Sequence, residues 1–281
     1  MDDEQSQSIE VLKKFGAQID NLALTYTQIA DSIISGIKDS FARYIEEIQK
    51  SFSEKINSDF IEKVFLILSQ ANQAISDNTR QATILLGEKG WYVSLDMPLS
   101  PLVKIGNQLS EGQTVNLDKI MSDYFRSNSE NIINAIVENF PDREKIIRSA
   151  FTAHRNGDYD LSIPVFLSQA DGICYEIIGI QLYSRAKGKP KTIKFVDQFS
   201  ADSFMNALLE PFRTPLPISA SKKDRIDAEE AFNRHAILHG ESCDYGSEIN
   251  SLKAISLLNY ISQVLAKARE KMSESITSQS T

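Results

Sequence analysis

The amino-acid sequence predicts an all-α protein in which a long N-terminal helix or helical hairpin precedes a series of shorter helices. Apolar residues recur every three or four positions through most of the chain, which is the period of a helix with one buried face. Proline and glycine mostly fall between these periodic segments and mark where helices end. The stretch Trp91–Met97 is the one candidate strand, and because it has no clear pairing partner nearby we expect a loop there.

Length, charge and cysteine content limit what the protein can be. The 281 residues, 42% of them hydrophobic, suffice for one large domain or two modest ones. A formal net charge of −8 argues against a general polyanion binder, so any nucleic-acid site must be a local basic patch. The two cysteines, Cys174 and Cys243, are far apart and predict neither a disulfide framework nor a zinc ribbon.

The N-terminus carries no sign of export. It reads Met-Asp-Asp-Glu, which is acidic where a signal peptide is basic. No apolar run approaches the roughly 18 residues that span a bilayer. We therefore expect a cytoplasmic protein with reduced thiols and no membrane contact.

Within the first 88 residues, apolar side chains recur every three or four positions from Val11 to about Ile75 and form a stripe along one face of a helix. The first proline is Pro98, so nothing earlier forces a break, and the stripe predicts one very long helix or a helical hairpin. Two roles stay open for this arm: it packs on the rest of the protein, or it binds a partner such as a regulatory protein. Residues 89–116, which are rich in glycine and contain two prolines, predict a linker.

Prolines and turn residues divide the next part of the chain into helices. Leu117–Phe140 predicts one or two helices, and Pro141 opens another that ends at the turn of residues 156–158. A further helix over 160–182 tolerates Pro164 in its first turn. These elements predict a helical hairpin, with no second copy that would indicate a solenoid.

The last third of the chain predicts a helix pair. One helix covers Ile226–His239, with Gly240 where a left-handed C-terminal cap is expected. A second, strongly amphipathic helix begins near Ser247, and residues 273–281 predict a disordered tail. The predicted inward residues of this second helix are Ile249, Leu252, Ile255, Leu258, Ile261 and Leu265.

Two basic segments precede this helix pair, at residues 186–194 and 221–225. Such segments are usually solvated loops. Because they come just before a cluster of histidines, their lysines are also candidate RNA-binding residues. These are Lys187, Lys189, Lys191, Lys222 and Lys223.

The stretch Asn233–Gly240 (Asn-Arg-His-Ala-Ile-Leu-His-Gly) gathers two of the three histidines next to an arginine. A histidine takes up a proton at neutral pH, and an arginine holds a phosphate bidentately and stabilises charge that develops on it. This set suits attack of a ribose 2′-hydroxyl on its neighbouring phosphate without a metal. On one helix Arg234 and His239 are offset by roughly 140°, so they must converge at a frayed helix end or across a two-fold axis.

Two other interpretations of this stretch stay open. His235, His239 and Cys243 follow one another at spacings of four, which makes a zinc site conceivable. Gly240 interrupts the helix before Cys243, however, and no fourth ligand is near. Alternatively, Arg234 and His239 cap the helix end and pair with acidic neighbours. Those neighbours are Glu241, Asp244 and Glu248.

The motif resembles the signature of the HEPN superfamily. Arg234 and His239 have the Arg-x4-His spacing, a polar residue (His235) follows the arginine, and Gly240 precedes a long amphipathic helix. The preceding hairpin, from Phe140-Pro-Asp-Arg through His154 to the helix containing Ile163–Gly172, resembles bacterial proteins that end in such a motif. The resemblance extends over roughly residues 117–272.

The resemblance implies an α-helical bundle in which two protomers form a composite, metal-independent ribonuclease site. In this sequence His239 would activate or position the 2′-hydroxyl, Arg234 would stabilise the transition state, and His235 would assist. Asn233 and Asp171 would support the site, and no cofactor is implied. Products would carry a 2′,3′-cyclic phosphate, and members often act as toxins or effectors in phage defence and toxin–antitoxin systems.

One departure from the family pattern bears on regulation. Toxins that a nucleotidyltransferase antitoxin modifies have a tyrosine two residues after the motif histidine, where this chain has Glu241. Regulation by that route is not expected. A non-catalytic helical module that binds RNA or protein is the alternative function, and it predicts binding without turnover.

Overall fold

The computed structural model describes residues 76–97, 116–199, 204–220 and 232–278, together with residues 73, 105 and 108. The fold is all-α, as predicted, since the described residues are mostly helical. The predicted stripe from Val11 to Ile75 lies outside the described residues apart from residue 73. The helices are α1 (residues 76–88), α2 (Leu117–Ser127), α3 (Ser129–Asn139), α4 (Glu144–Arg155), α5 (Tyr159–Ile178), α6 (Ile193–Val196), α7 (Phe204–Leu208), α8 (Arg234–Leu238) and α9 (Glu248–Ser278).

Helices α5 and α9 pack along each other and form the centre of the core. Helix α9 buries one row of aliphatic side chains, among them Leu258 and Ile261, and α5 presents Ile163 and Phe166 to the same core. Each such side chain contributes about 1.5–3 kcal/mol when it is buried. The predicted inward row of α9 is confirmed from Leu252 onward. Ile249, in the first turn, is instead 40% exposed.

The segment that follows α1 enters this core. Trp91 is fully buried, stacks on Phe125 at 6.1 Å between ring centroids, and donates its indole N–H to Asp118 at 2.7 Å. Residues 91–97 form no strand, so the predicted loop is confirmed. Ala82 and Leu86 of α1 belong to the same core, which therefore extends across the predicted boundary between arm and linker at residues 88–89.

Helices α2 to α4 follow the predicted divisions. The predicted Leu117–Phe140 segment is two helices separated at Asn128, whose side-chain amide donates to the Tyr124 carbonyl at 2.9 Å. A single 3₁₀ turn, Pro141–Arg143, opens α4. Gly157, with φ +83°, supplies the left-handed residue of the turn that leads into α5.

Helix α5 accommodates an internal proline and ends earlier than predicted. Pro164 lacks an N–H, so the Asp160 carbonyl one turn earlier receives no helical hydrogen bond from it. The Tyr245 hydroxyl donates to that carbonyl instead, at 3.1 Å. The predicted end at Leu182 is wrong, because Gly179 adopts φ +70° and caps the helix after Ile178.

A short β-hairpin follows α5 within the predicted basic connection. Strands β1 (Arg185–Ala186) and β2 (Lys189–Pro190) pair antiparallel around Lys187 and Gly188. Both loop residues have positive φ, 52° and 78°, which is the backbone of a type I′ turn. The hairpin turn presents Lys187 and Lys189 to solvent.

The last helix is longer than predicted. Helix α9 continues to Ser278, six residues into the segment 273–281 that was predicted as a tail, and 279–281 lie outside the described residues. Extending an existing helix costs far less than nucleating one, which favours this continuation. Across the described part of the chain, no helix is both long and apolar enough to cross a membrane.

Candidate functional site

The short helix α8 carries the motif, and Asn233 fixes its first turn. The Asn233 side-chain oxygen accepts a hydrogen bond from the Ala236 N–H at 3.0 Å, which is an N-cap interaction. Its amide donates to the carbonyls of Pro217 (2.7 Å) and Ala220 (3.0 Å). The prediction of one continuous helix over Ile226–His239 is therefore wrong. Phe232 and Asn233 are not helical, and a separate helix, α8, begins at Arg234.

Gly240 ends α8 as predicted. It adopts φ +69° and donates its N–H to the Ile237 carbonyl at 3.2 Å, while the Glu241 N–H reaches the Ala236 carbonyl at 2.8 Å. These two bonds make a complete Schellman motif. His239 is thereby held at the C-cap of the helix, with its side chain exposed.

Arg234 lies against an aromatic ring. Its guanidinium carbon is 4.8 Å from the centroid of the Tyr183 ring, a cation–π contact. Among the described residues its guanidinium makes no hydrogen bond or ion pair, and its Nε is buried without a partner. Burial raises the pKa of Tyr183 well above its usual value, which the positive charge of Arg234 opposes, so the hydroxyl stays protonated.

His235 and His239 form a second part of the motif. Their ring centroids are 4.4 Å apart and the rings are nearly perpendicular, at 86°. The spacing of four residues places them on one face of α8. The described contact of Arg234 is therefore with Tyr183, and that of His239 is with His235.

The two other interpretations of the motif find little support in this geometry. No three His, Cys, Asp or Glu side chains converge within the described residues, so His235, His239 and Cys243 do not form a metal-binding group. Neither Arg234 nor His239 pairs with the nearby acidic residues. Glu248 instead pairs with Arg126 at 3.0 Å, and the Asp244 carboxylate accepts a hydrogen bond from Ser242 at 3.1 Å.

The basic hairpin and the motif are joined through one turn. The 3₁₀ turn Pro217–Ser219 supplies a carbonyl that holds Asn233, and its Ser219 hydroxyl accepts a hydrogen bond from Arg185 at 2.9 Å. Arg185 begins β1, two residues after Tyr183. The exposed side chains of Lys187, Lys189 and Lys191 therefore belong to the element beside the motif, whereas Lys222 and Lys223 lie outside the described residues.

Asp171 has a structural contact. Its carboxylate accepts a hydrogen bond from the Leu182 N–H at 2.7 Å. This bond fixes the backbone just before Tyr183, and so the ring on which Arg234 rests. This contact is structural, and the role of Asp171 as a supporting acid of the site stays a prediction.

Sequence reasoning missed Tyr183. It comes directly after the predicted helix 160–182, and nothing in the local pattern distinguishes it from a core aromatic residue. Only the fold brings it to Arg234, 51 positions later. The cysteines are free, with Cys174 buried and Cys243 exposed.

Comparisons of this chain with protein-family models, with the curated proteins and with the solved structures each found no match. The interpretation of the site therefore depends on its own geometry and chemistry and on the resemblance of its motif.

Proposed function

We propose that this protein is a metal-independent endoribonuclease of the HEPN type. It cleaves RNA by attack of a ribose 2′-hydroxyl on the adjacent phosphate and leaves a 2′,3′-cyclic phosphate. The alternative, a helical module that binds RNA or protein without turnover, uses the same surface without a chemical step.

One observation carries the proposal. Arg234 is held in place by the Tyr183 ring, yet its guanidinium makes no hydrogen bond or ion pair among the described residues. Structural arginines at this degree of burial normally donate to a carboxylate or a carbonyl. A fixed cation with unused donors suits a phosphate, which guanidinium binds bidentately.

The two histidines supply the proton transfers. In this mechanism His239 accepts the proton of the 2′-hydroxyl as the new P–O bond forms, and Arg234 stabilises the charge on the phosphorane-like transition state. The proton that the leaving 5′-oxygen requires comes from a second imidazole. The contact between His235 and His239 supports this assignment, because it holds two proton-exchanging groups together.

A second copy of the chain completes the site. Arg234 is the first residue of α8 and His239 is its C-cap, which on a helix corresponds to a rise of roughly 7.5 Å and an angular offset of roughly 140°. A two-fold axis beside α8 would bring His239 of one protomer toward Arg234 of the other. The proposed dimer also places two basic hairpins along one RNA path, which offsets the net charge of −8 locally.

The direct test is RNA cleavage in the presence of EDTA. His239→Ala should lower the cleavage rate by about 10²–10⁴-fold and Arg234→Ala by about 10²–10³-fold. Arg148→Ala is the matched control, since Arg148 is exposed on α4 and pairs only locally with Glu144. Cleavage that requires added metal, or that survives His239→Ala in refolded protein, would refute the mechanism.

The composite site has its own test. Arg234→Ala and His239→Ala proteins are unfolded together, refolded and assayed. If each site takes Arg234 from one chain and His239 from the other, roughly one quarter of wild-type activity returns, because half the dimers are mixed and each keeps one intact site. No recovery in a mixture that sedimentation shows to be dimeric would refute the shared arrangement.

RNA cleavage would also supply a biological role. A toxin or effector in phage defence or a toxin–antitoxin pair should arrest growth when it is expressed in bacteria, and His239→Ala should relieve the arrest. Retention of RNA without products, unchanged by His239→Ala, would favour the non-catalytic alternative.

A further inference from the structure

The segment 177–196, which contains the hairpin, carries five basic side chains and no acidic one, in a protein whose net charge is −8. The five are Arg185, Lys187, Lys189, Lys191 and Lys194. All four lysines are exposed, and none of them forms an ion pair with a residue that the structure describes. Because like charges repel one another, such a cluster binds an anion that neutralises it more readily than the rest of this acidic protein does.

The pairing of the hairpin strands places two of these lysines on its outer face. Lys189 pairs with Ala186, and the Lys191 N–H donates to the Ser184 carbonyl at 2.9 Å. Pro190, between the two lysines, is buried, as expected where successive side chains of a strand alternate between faces. Lys189 and Lys191 are therefore roughly 6.5 Å apart along the strand. With Lys187 at the tip of the hairpin they form what we call the lysine row.

The lysine row stands on a fixed support. On the inner face Arg185 pairs with Pro190 and donates to the Ser219 hydroxyl at 2.9 Å. Lys187 adopts φ +52° and is the one non-glycine residue with positive φ in the described part of the chain. A side chain is strained in this conformation, whereas glycine is not. A lysine at this position indicates that its charge has a use at the tip.

We infer that the lysine row holds a single RNA strand by its phosphodiester backbone, without reading the bases. The spacing of the lysines is close to that of successive phosphates along an extended strand, and lysine binds phosphate as a point charge. The outer face otherwise carries Ala186 and Ser184, so it offers no aromatic ring on which a base could stack. One line of cations fits one strand, whereas recognition of duplex RNA needs contacts that span a groove.

The row leads to the motif. Ser184 directly follows Tyr183, and the ring of Tyr183 contacts Arg234. A strand held on the row therefore continues toward the proposed phosphate site at Arg234. This guidance toward a cut rests on the proposed function, whereas binding of an uncut strand does not.

The binding test uses the full-length chain with His239→Ala, so that the probe stays uncut. Fluorescence anisotropy follows a short labelled RNA as a single strand, the same RNA annealed to its complement, and a second single strand of different sequence. The two single strands should bind within about twofold of each other and more tightly than the duplex. The logarithm of the association constant should fall with the logarithm of the salt concentration with a slope of about −2, since each of three lysine contacts contributes about −0.7. Tighter binding of the duplex, or a slope near zero, would overturn the inference.

Substitutions locate the bound strand. Lys189→Gln and Lys191→Gln should each weaken binding roughly 5- to 10-fold at about 50 mM salt and make the slope shallower by about 0.7. Lys187→Gly should weaken binding equally without lowering the midpoint of urea denaturation, because glycine adopts φ +52° freely. Lys145→Gln is the matched control, an exposed lysine of α4 whose loss should change neither affinity nor slope. Binding that survives the triple substitution would overturn the inference, as would an equal loss in Lys145→Gln, since total charge would then explain the effect.

The two proposals fail separately. With His239 intact, the triple substitution should raise the KM for RNA cleavage and leave kcat within about twofold, because the row binds the ground state and the transition state equally. Salt-dependent binding of a single strand with no cleavage by wild-type protein would keep the lysine row and remove the ribonuclease. Cleavage that depends on His239, with a KM that the triple substitution does not change, would remove the lysine row and keep the ribonuclease.

Discussion

Asn233 offers the sharpest test of how the fold builds the motif. It is 2% exposed and makes three hydrogen bonds, one to α8 and two to the loop before it. Asn233→Ala removes all three. Asn233→Asp keeps the cap to Ala236 and loses only the two donated bonds.

The magnitude follows from these bonds. Loss of the N-cap costs about 1 kcal/mol. The carbonyls of Pro217 and Ala220 are part-buried, and each loses its donor at a cost of about 1 kcal/mol. Asn233→Ala should therefore lower the free energy of unfolding by about 3 kcal/mol. Asn233→Asp should lower it by at least 2 kcal/mol, since a carboxylate would also face two carbonyl oxygens.

Urea denaturation followed by circular dichroism measures both variants, and hydrogen exchange at Ala236 reports the cap itself. Asn139→Ala is the control, because the Asn139 amide makes one exposed bond within its own helix, and it should change stability by less than about 0.5 kcal/mol. An Asn233→Asp protein as stable as wild type would contradict this prediction. It would show that the two donated hydrogen bonds add no stability and that the N-cap alone accounts for the effect of Asn233.

Two further predictions concern the end of the motif and a buried histidine of α4. Gly240→Ala should cost about 1 kcal/mol in urea denaturation, because φ is +69° with no neighbouring atom to clash, and Gly240→Asn should cost less. A neutral Gly240→Ala would contradict the observed cap. His154 bonds Ser251 at 2.7 Å, and burial lowers its pKa below 6.5, with Glu248 opposing and Arg126 and Arg155 adding to the shift. The contribution of His154 to stability is complete above about pH 6.5 and is lost as pH falls through the lowered pKa of the folded state. The free energy of unfolding should therefore fall less between pH 7.5 and pH 5 in His154→Gln than in wild type.

The helices were predictable where the local signals agree. Over residues 117–155 the apolar period, Pro141 and Gly157 all indicate the same boundaries, and the structure follows them. In α9 the row from Leu252 to Leu265 was identified by period alone. These features depend on neighbours in sequence, which is why sequence reasoning reached them.

The remaining features depend on contacts between distant parts of the chain. Gly179 ends α5 although the aliphatic pattern continues past it to Leu182. Asn233 starts α8 because the carbonyls of Pro217 and Ala220 accept hydrogen bonds from its amide, and the predicted long helix is interrupted there. The hairpin has strands of only two residues, too short for an alternating pattern to be visible.

The candidate site shows the same division. The sequence identified Arg234, His235 and His239 from their spacing and chemistry. It did not identify Tyr183, whose ring contacts Arg234. That contact is tertiary, and no local pattern encodes it.

A single deoxy substitution tests the central claim most directly. An RNA oligonucleotide and its copy with a 2′-deoxyribose at the cleaved position are incubated with wild-type protein in EDTA. The account predicts that the RNA is cut to a 2′,3′-cyclic phosphate and that the substituted copy stays intact at that position, because the attacking hydroxyl is missing. Cleavage of the deoxy-substituted copy at the same position would contradict it.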